Sequence, residues 1–147
     1  MAKRLLLLAA LGLLAGADTP REAAEWKKLE GTWRLVTLDD NGRHYEGRFG
    51  AFDRVSITGR KLFAEGGGRR EEGGSLRIDL STTPPLMDLK ESAGGAKGNT
   101  AEGIYRLDGD SLKICLGLGT RVKERPAELP TEPVPGVFYL VLKRNKP

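Results

Sequence analysis

The stretch GIYRLDGDSLKICL, residues 103–116, decides the fold. Two β-prone runs, 103–107 and 112–116, flank Asp108-Gly109-Asp110, where Asp and Gly supply the geometry of a tight hairpin turn. In the second run Leu112, Ile114 and Leu116 alternate with Lys113 and Cys115, the period of a strand with one buried face. Working outward, strand-like runs recur at 33–38, 54–58, 61–65, 75–80, 86–89 and 137–143, which with the first two makes eight. Their separators are Asn41-Gly42, Gly59, the Gly66–Gly68 run, Gly73-Gly74, Pro84-Pro85 and Gly94-Gly95. Short antiparallel strands without a βαβ rhythm predict an all-β sandwich or barrel.

Alternation predicts the inward faces. Trp33, Leu35 and Thr37 share one side of the first strand, and Leu76, Ile78 and Leu80 lie opposite Arg77 and Asp79. Phe138, Leu140 and Leu142 share a face with Arg144 in the last strand. An eight-stranded barrel has an interior just wide enough to be filled by side chains or to hold one small ligand. Its expected inner wall, and so the candidate ligand-binding set, is Leu35, Val55, Ile57, Leu76, Ile78, Ile104, Leu112, Ile114, Phe138 and Leu140.

One helix precedes the strands. Thr19 can cap it, Pro20 suits its first position, and 21–29 places Ala23, Trp26 and Leu29 at helical spacing before Gly31 stops it. Upstream, Lys3-Arg4 is followed by an apolar run from Leu5 to Ala15, too short to cross a bilayer as a helix. It ends in Ala15-Gly16-Ala17, a small-x-small cleavage pattern, so residues 1–17 read as a signal peptide and 18–147 as the folded domain. No Cys follows Ala17 to carry a lipid anchor, and the expected location is exported, periplasmic or extracellular.

The chain of 147 residues is one domain's worth, and its 20 glycines argue for many turns rather than a helical bundle. Losing Lys3 and Arg4 with the leader lowers the formal net charge from +4 to +2, so the basicity is no nucleic-acid signature. One His and one Cys exclude a multi-histidine zinc site, a CxxC redox pair and a disulfide framework.

Two features coincide at the ends of the strand series. The helix leads into Gly31-Thr32-Trp33, and the last strand closes with Lys143-Arg144. This resembles the lipocalin signature, in which a Gly-x-Trp tryptophan closes the barrel base beneath a basic residue of the terminal strand. A guanidinium stacked on an indole gains roughly 0.5–2 kcal/mol, and Arg144 has the alternation for that role, with Lys143 as the fallback. The motifs LEGTW at 29–33, PLMDL at 85–89, the 103–116 block, Arg125-Pro126 and VLKR at 141–144 together resemble a lipocalin-like family of exported bacterial proteins, expanded in planctomycetes. The likeness covers most of residues 25–144, and Leu129 stands where that family has an aromatic. It implies an eight-stranded up-and-down barrel and export. It brings no activity, cofactor or catalytic residue.

Residue chemistry nominates no enzyme. His44 with Asp39 and Asp40 offers a His–Asp pair or part of a metal set, yet the bland reading is a solvated hairpin end. Cys115 reads as a packed, inert thiol on a helix-covered outer face. The glycine clusters lack phosphate-loop spacing, Asp108-Gly109-Asp110 does not continue into a calcium loop, and Arg69-Arg70-Glu71-Glu72 reads as a self-neutralising charged loop. No metal, cofactor, nucleic acid or membrane span is expected, and the chain reads as a monomer. Two functions remain open. One is a small apolar or amphipathic ligand in the barrel; the other is a solid barrel serving as an envelope-protein interaction module. Its contact regions would then be the proline-rich loop 117–136 and the segment 49–54.

Overall fold

The computed structural model describes residues 18–92, 97–118 and 124–146, so the leader and its cleavage site lie outside the described residues. Helix α1 spans Pro20–Leu29. Nine strands follow: β1 (Gly31–Asp40), β2 (Arg43–Glu46), β3 (Arg54–Thr58), β4 (Lys61–Gly66), β5 (Arg69–Asp79), β6 (Leu86–Glu91), β7 (Thr100–Asp108), β8 (Ser111–Gly117) and β9 (Val137–Arg144). Every pairing is antiparallel, and β9 returns to β1, so eight of the strands close into a barrel. The ninth, β2, extends this wall. It pairs with residues 37–40 of β1, on the edge whose first residues, 31–34, pair with β3.

The helix begins and ends for local reasons. The Thr19 hydroxyl accepts from the Glu22 N–H at 3.1 Å, and the Glu30 N–H donates to the Trp26 carbonyl at 2.9 Å. Trp26 and Leu29 are its buried residues. Arg60, which also holds Asp18, lies 5.1 Å from the Trp26 ring and clamps the helix to the β3–β4 turn.

Four expectations from the sequence are corrected. The residues after Asn41-Gly42 form strand β2, because that pair takes positive φ values of 53° and 90° and turns the chain straight back. Gly73-Gly74 is not a separator but lies inside β5, and Arg69-Arg70-Glu71-Glu72 is the first part of that strand rather than a loop. Its register against β4 shifts between Leu62 and Phe63, and a Cβ on Gly74 would stand 2.1 Å from the Lys90 carbonyl oxygen. Glycine marks a tight bend of the barrel wall there, not a chain reversal. Thr37 is not on the inner face either. A bulge between Leu35 and Thr37 resets the alternation, so Thr37 faces Val141 while Leu38 joins Leu140 inside.

Candidate functional site

Both ends of the barrel are stoppered. At the helix end Trp33 is fully buried, and its indole N–H donates to the Leu29 carbonyl at 2.9 Å. Arg144 is its partner across the β1–β9 ladder and stacks with its guanidinium 4.2 Å from the Trp33 ring. The same guanidinium donates to the carbonyls of Lys28 at 2.6 Å and Glu30 at 3.2 Å, capping the helix as well. Gly31 adjoins it, its Cβ position 3.4 Å from the Arg144 Nη1, and takes a φ of +123° that side chains rarely adopt. Gly31, Trp33 and Arg144 therefore meet at one point. Tyr105, fully buried, adds a second tie, donating from its hydroxyl to the Glu25 carboxylate at 2.9 Å. Burial and then Glu25 raise its pKa well above the ordinary 10.0.

Aromatics crowd the other end. Tyr45 pairs with Leu38 on β1 and meets Phe49 edge-on at 5.0 Å, and both rings pack against the core. Phe49 and Phe52 exchange backbone hydrogen bonds of 2.8 and 3.0 Å around a tight turn. The segment 49–54 is thus seated on the barrel, and a Cβ on Gly66 would strike the Ala51 carbonyl oxygen.

Between the stoppers the inner wall is made by Leu35, Val55, Ile57, Leu76, Leu112, Ile114 and Leu140, all buried in one cluster, with Ile78 and Phe138 partly buried against it. Ile104 does not belong to it. It pairs with Cys115 and sits with Tyr139 in a separate cluster on the outer face, because Tyr105 takes the inward position on β7. Leu38, Leu62, Met87, Leu89 and Ala101 complete the interior. Trp33, Ile57, Met87, Tyr105, Leu112, Ile114 and Leu142 have no accessible surface, so no water-sized void touches them.

Cys115 is 1% exposed, and burial pushes its thiol up to about 11. What covers it is not the helix but the segment before β9, whose Leu129 packs onto the outer cluster. That segment is pinned by Arg125, which donates to Asp88 at 2.5 Å, the Gly103 carbonyl at 2.8 Å and Glu102 at 3.0 Å. At its end the Asn41 side chain accepts from the Gly136 N–H at 2.6 Å. The described part of the 117–136 loop is therefore a strap on the barrel wall.

His44 lies on β2 with its Nδ1 2.6 Å from Asp39 and its Nε2 3.4 Å from Glu46. The Asp39 hydrogen bond is the main cause of its raised pKa, partly opposed by desolvation. Asp39 faces Tyr139 across the next ladder, and Tyr139 faces Cys115. His44 and Cys115 thus stand three strand spacings apart, roughly 15 Å, and do not form a Cys–His pair. Among the described residues no three His, Cys, Asp or Glu side chains are grouped to hold a metal ion, and no helix is long and apolar enough to cross a membrane.

Three depressions lined by described residues are open and mostly polar. The largest, about 420 Å³, lies over β5 and β6 beside Arg77, Asp88 and Lys90. One of about 360 Å³ adjoins Arg144 and Glu25, and one of about 180 Å³ lies between Arg106 and Lys113. Comparison with protein-family models, curated proteins and solved structures gives no match.

Proposed function

We propose that this chain is an exported, lipocalin-like barrel with a filled interior, acting through its outer surface as an interaction module of the cell envelope. One observation carries the reading. Seven inward side chains spread over six strands, Trp33, Ile57, Met87, Tyr105, Leu112, Ile114 and Leu142, have no accessible surface, whereas residues that line a ligand cup keep some. Export rests on the leader-like residues 1–17, and the family likeness rests on the motifs between residues 25 and 144.

The test is native mass spectrometry of the protein from its own host's exported fraction. A mass equal to residues 18–147 alone supports both parts of the reading. Excess mass removed by organic extraction overturns the filled interior and restores the apolar-ligand reading; retention of residues 1–17 overturns cleavage and export. Ile114→Phe supplies an independent check. Ile114 is fully buried, so a larger side chain overpacks a solid core by roughly 1–3 kcal/mol, while a hollow barrel absorbs it.

A further inference from the structure

Charges that face each other across this sheet follow a rule with one exception. Asp40 faces Arg43, Arg54 and Arg70 both face Glu65, and Arg77 faces Asp88, all pairs of opposite sign. The one facing pair of carboxylates, Asp88 and Glu102, is bridged from within the chain by Arg125. The exception is cationic. Arg34 on β1 stands between Lys143 on β9 and Arg54 on β3, and Arg106 on β7 faces Lys113 on β8. Ser111 pairs with Lys143 and Val141 with Lys113, so Lys113 and Lys143 are diagonal neighbours and the two groups join.

Like charges directly opposite destabilise a sheet. Arg34, Arg106, Lys113 and Lys143 form no ion pair with any described acidic side chain. Of the carboxylates at the rim, Asp53 neutralises Arg54 at 3.2 Å, where the row ends, and Asp110 is 2.8 Å from Lys146 and 3.6 Å from Arg144. Lys146, then the charges of Arg144 and Lys143, hold the Asp110 carboxyl below its ordinary value. Asp108 shares the depression between Arg106 and Lys113.

We infer that this cationic stripe is a binding surface for a linear acidic polysaccharide, a polyuronate with one carboxylate per sugar. The inference rests on the outer surface being the working one. Three properties of the stripe select this occupant. Its positive charge lacks a counter-ion, and carboxylates supply one. Its unpaired cations cross four of the eight closed strands, β7, β8, β9 and β1, and so curve around the barrel, where a flexible chain can follow and a flat bilayer cannot. Its facing cations, Arg106 with Lys113 and Lys143 with Arg34, stand on neighbouring strands about 4.8 Å apart, close to the rise of one sugar in an extended chain, and the two pairs join across a diagonal of roughly 7–8 Å.

The experiment is calorimetric titration of the full domain with oligogalacturonate at low and at physiological salt. Neutral oligosaccharide of the same length, inorganic phosphate and phosphatidylglycerol vesicles are separate arms. The expected result is salt-sensitive binding of the oligogalacturonate alone. Arg34→Glu combined with Lys113→Glu should weaken it at least tenfold, with the melting temperature unchanged or raised because three like-charge facings become opposite ones. The doubly reversed control Lys27→Glu with Lys97→Glu, at exposed cations off the stripe, should bind within twofold of the native protein. Absence of oligogalacturonate binding, equal loss in the control, or binding of vesicles in its place overturns the inference. Native mass spectrometry reports on the filled interior independently, so either failure is identifiable.

Discussion

Trp33→Ala is the most informative single perturbation of this barrel. The indole is fully buried, bonded through its N–H to the Leu29 carbonyl at 2.9 Å, and covered by Arg144 at 4.2 Å. Truncating a buried tryptophan costs roughly 3–5 kcal/mol. Within that figure the hydrogen bond accounts for about 1 kcal/mol and the stacked guanidinium for roughly 0.5–2 kcal/mol, the lower part of that range suiting a partly exposed arginine. Urea unfolding followed by circular dichroism reads the loss. With a slope of about 1.5 kcal/mol per molar, a 4 kcal/mol loss moves the midpoint by roughly 2–3 M. Arg144→Met keeps most of the side chain's volume but removes the charge and both helix-capping bonds, and about 2 kcal/mol is expected. In the double-mutant cycle the two changes should couple by about 1 kcal/mol, since each removes the same stack. A midpoint for Trp33→Ala within about 0.5 M of the native one would refute the closure, and purely additive losses would refute the stack.

Three further outcomes follow from named contacts. Gly103→Ala should destabilise by roughly 1–3 kcal/mol in the same assay, because a Cβ there would lie 2.0 Å from the Cys115 carbonyl oxygen; an unchanged midpoint would mean β7 and β8 lie farther apart. Cys115, 1% exposed with its pKa pushed up to about 11, should resist thiol reagents until the protein unfolds, and rapid labelling of the native state would contradict its burial under the Leu129 strap. The Asp39 bond raises the His44 pKa above its ordinary 6.5, so the stability it contributes is fully present below that value and lost as pH rises through the folded pKa. Native protein should therefore lose more melting temperature than His44→Gln between pH 6 and pH 8; parallel profiles would show that the bond contributes nothing.

Where period alone decides, the sequence reads correctly. The run 112–116 alternates without interruption and its inward residues Leu112, Ile114 and Leu116 are all buried, and eight closed strands with one leading helix are what the spacing predicts. Reading failed where hydrophobicity was followed in place of period, or where one residue shifts the phase. Ile104 shares its side of β7 with Glu102, Arg106 and Asp108 and so faces outward, while Tyr105 takes the interior, where Glu25 of the helix satisfies it. Thr37 exchanged places with Leu38 because of a bulge, and Gly73-Gly74 sits within a strand because its missing Cβ atoms admit a neighbouring backbone. A one-residue slip turns every later side chain to the opposite face, so such errors cannot be found from hydrophobicity alone.

The sequence by itself determined the class of fold, the helix cap, the hairpin turns and the residues of the basal closure, because each depends on neighbours in the chain or on a simple period. The tertiary structure decided the rest. Whether the interior is filled depends on how side chains from eight strands meet, and the row of Lys143, Arg34 and Arg54 exists only through register, since those residues are far apart in the chain. Cross-strand neighbours are set by closure of the barrel, a global condition that no local window of sequence contains.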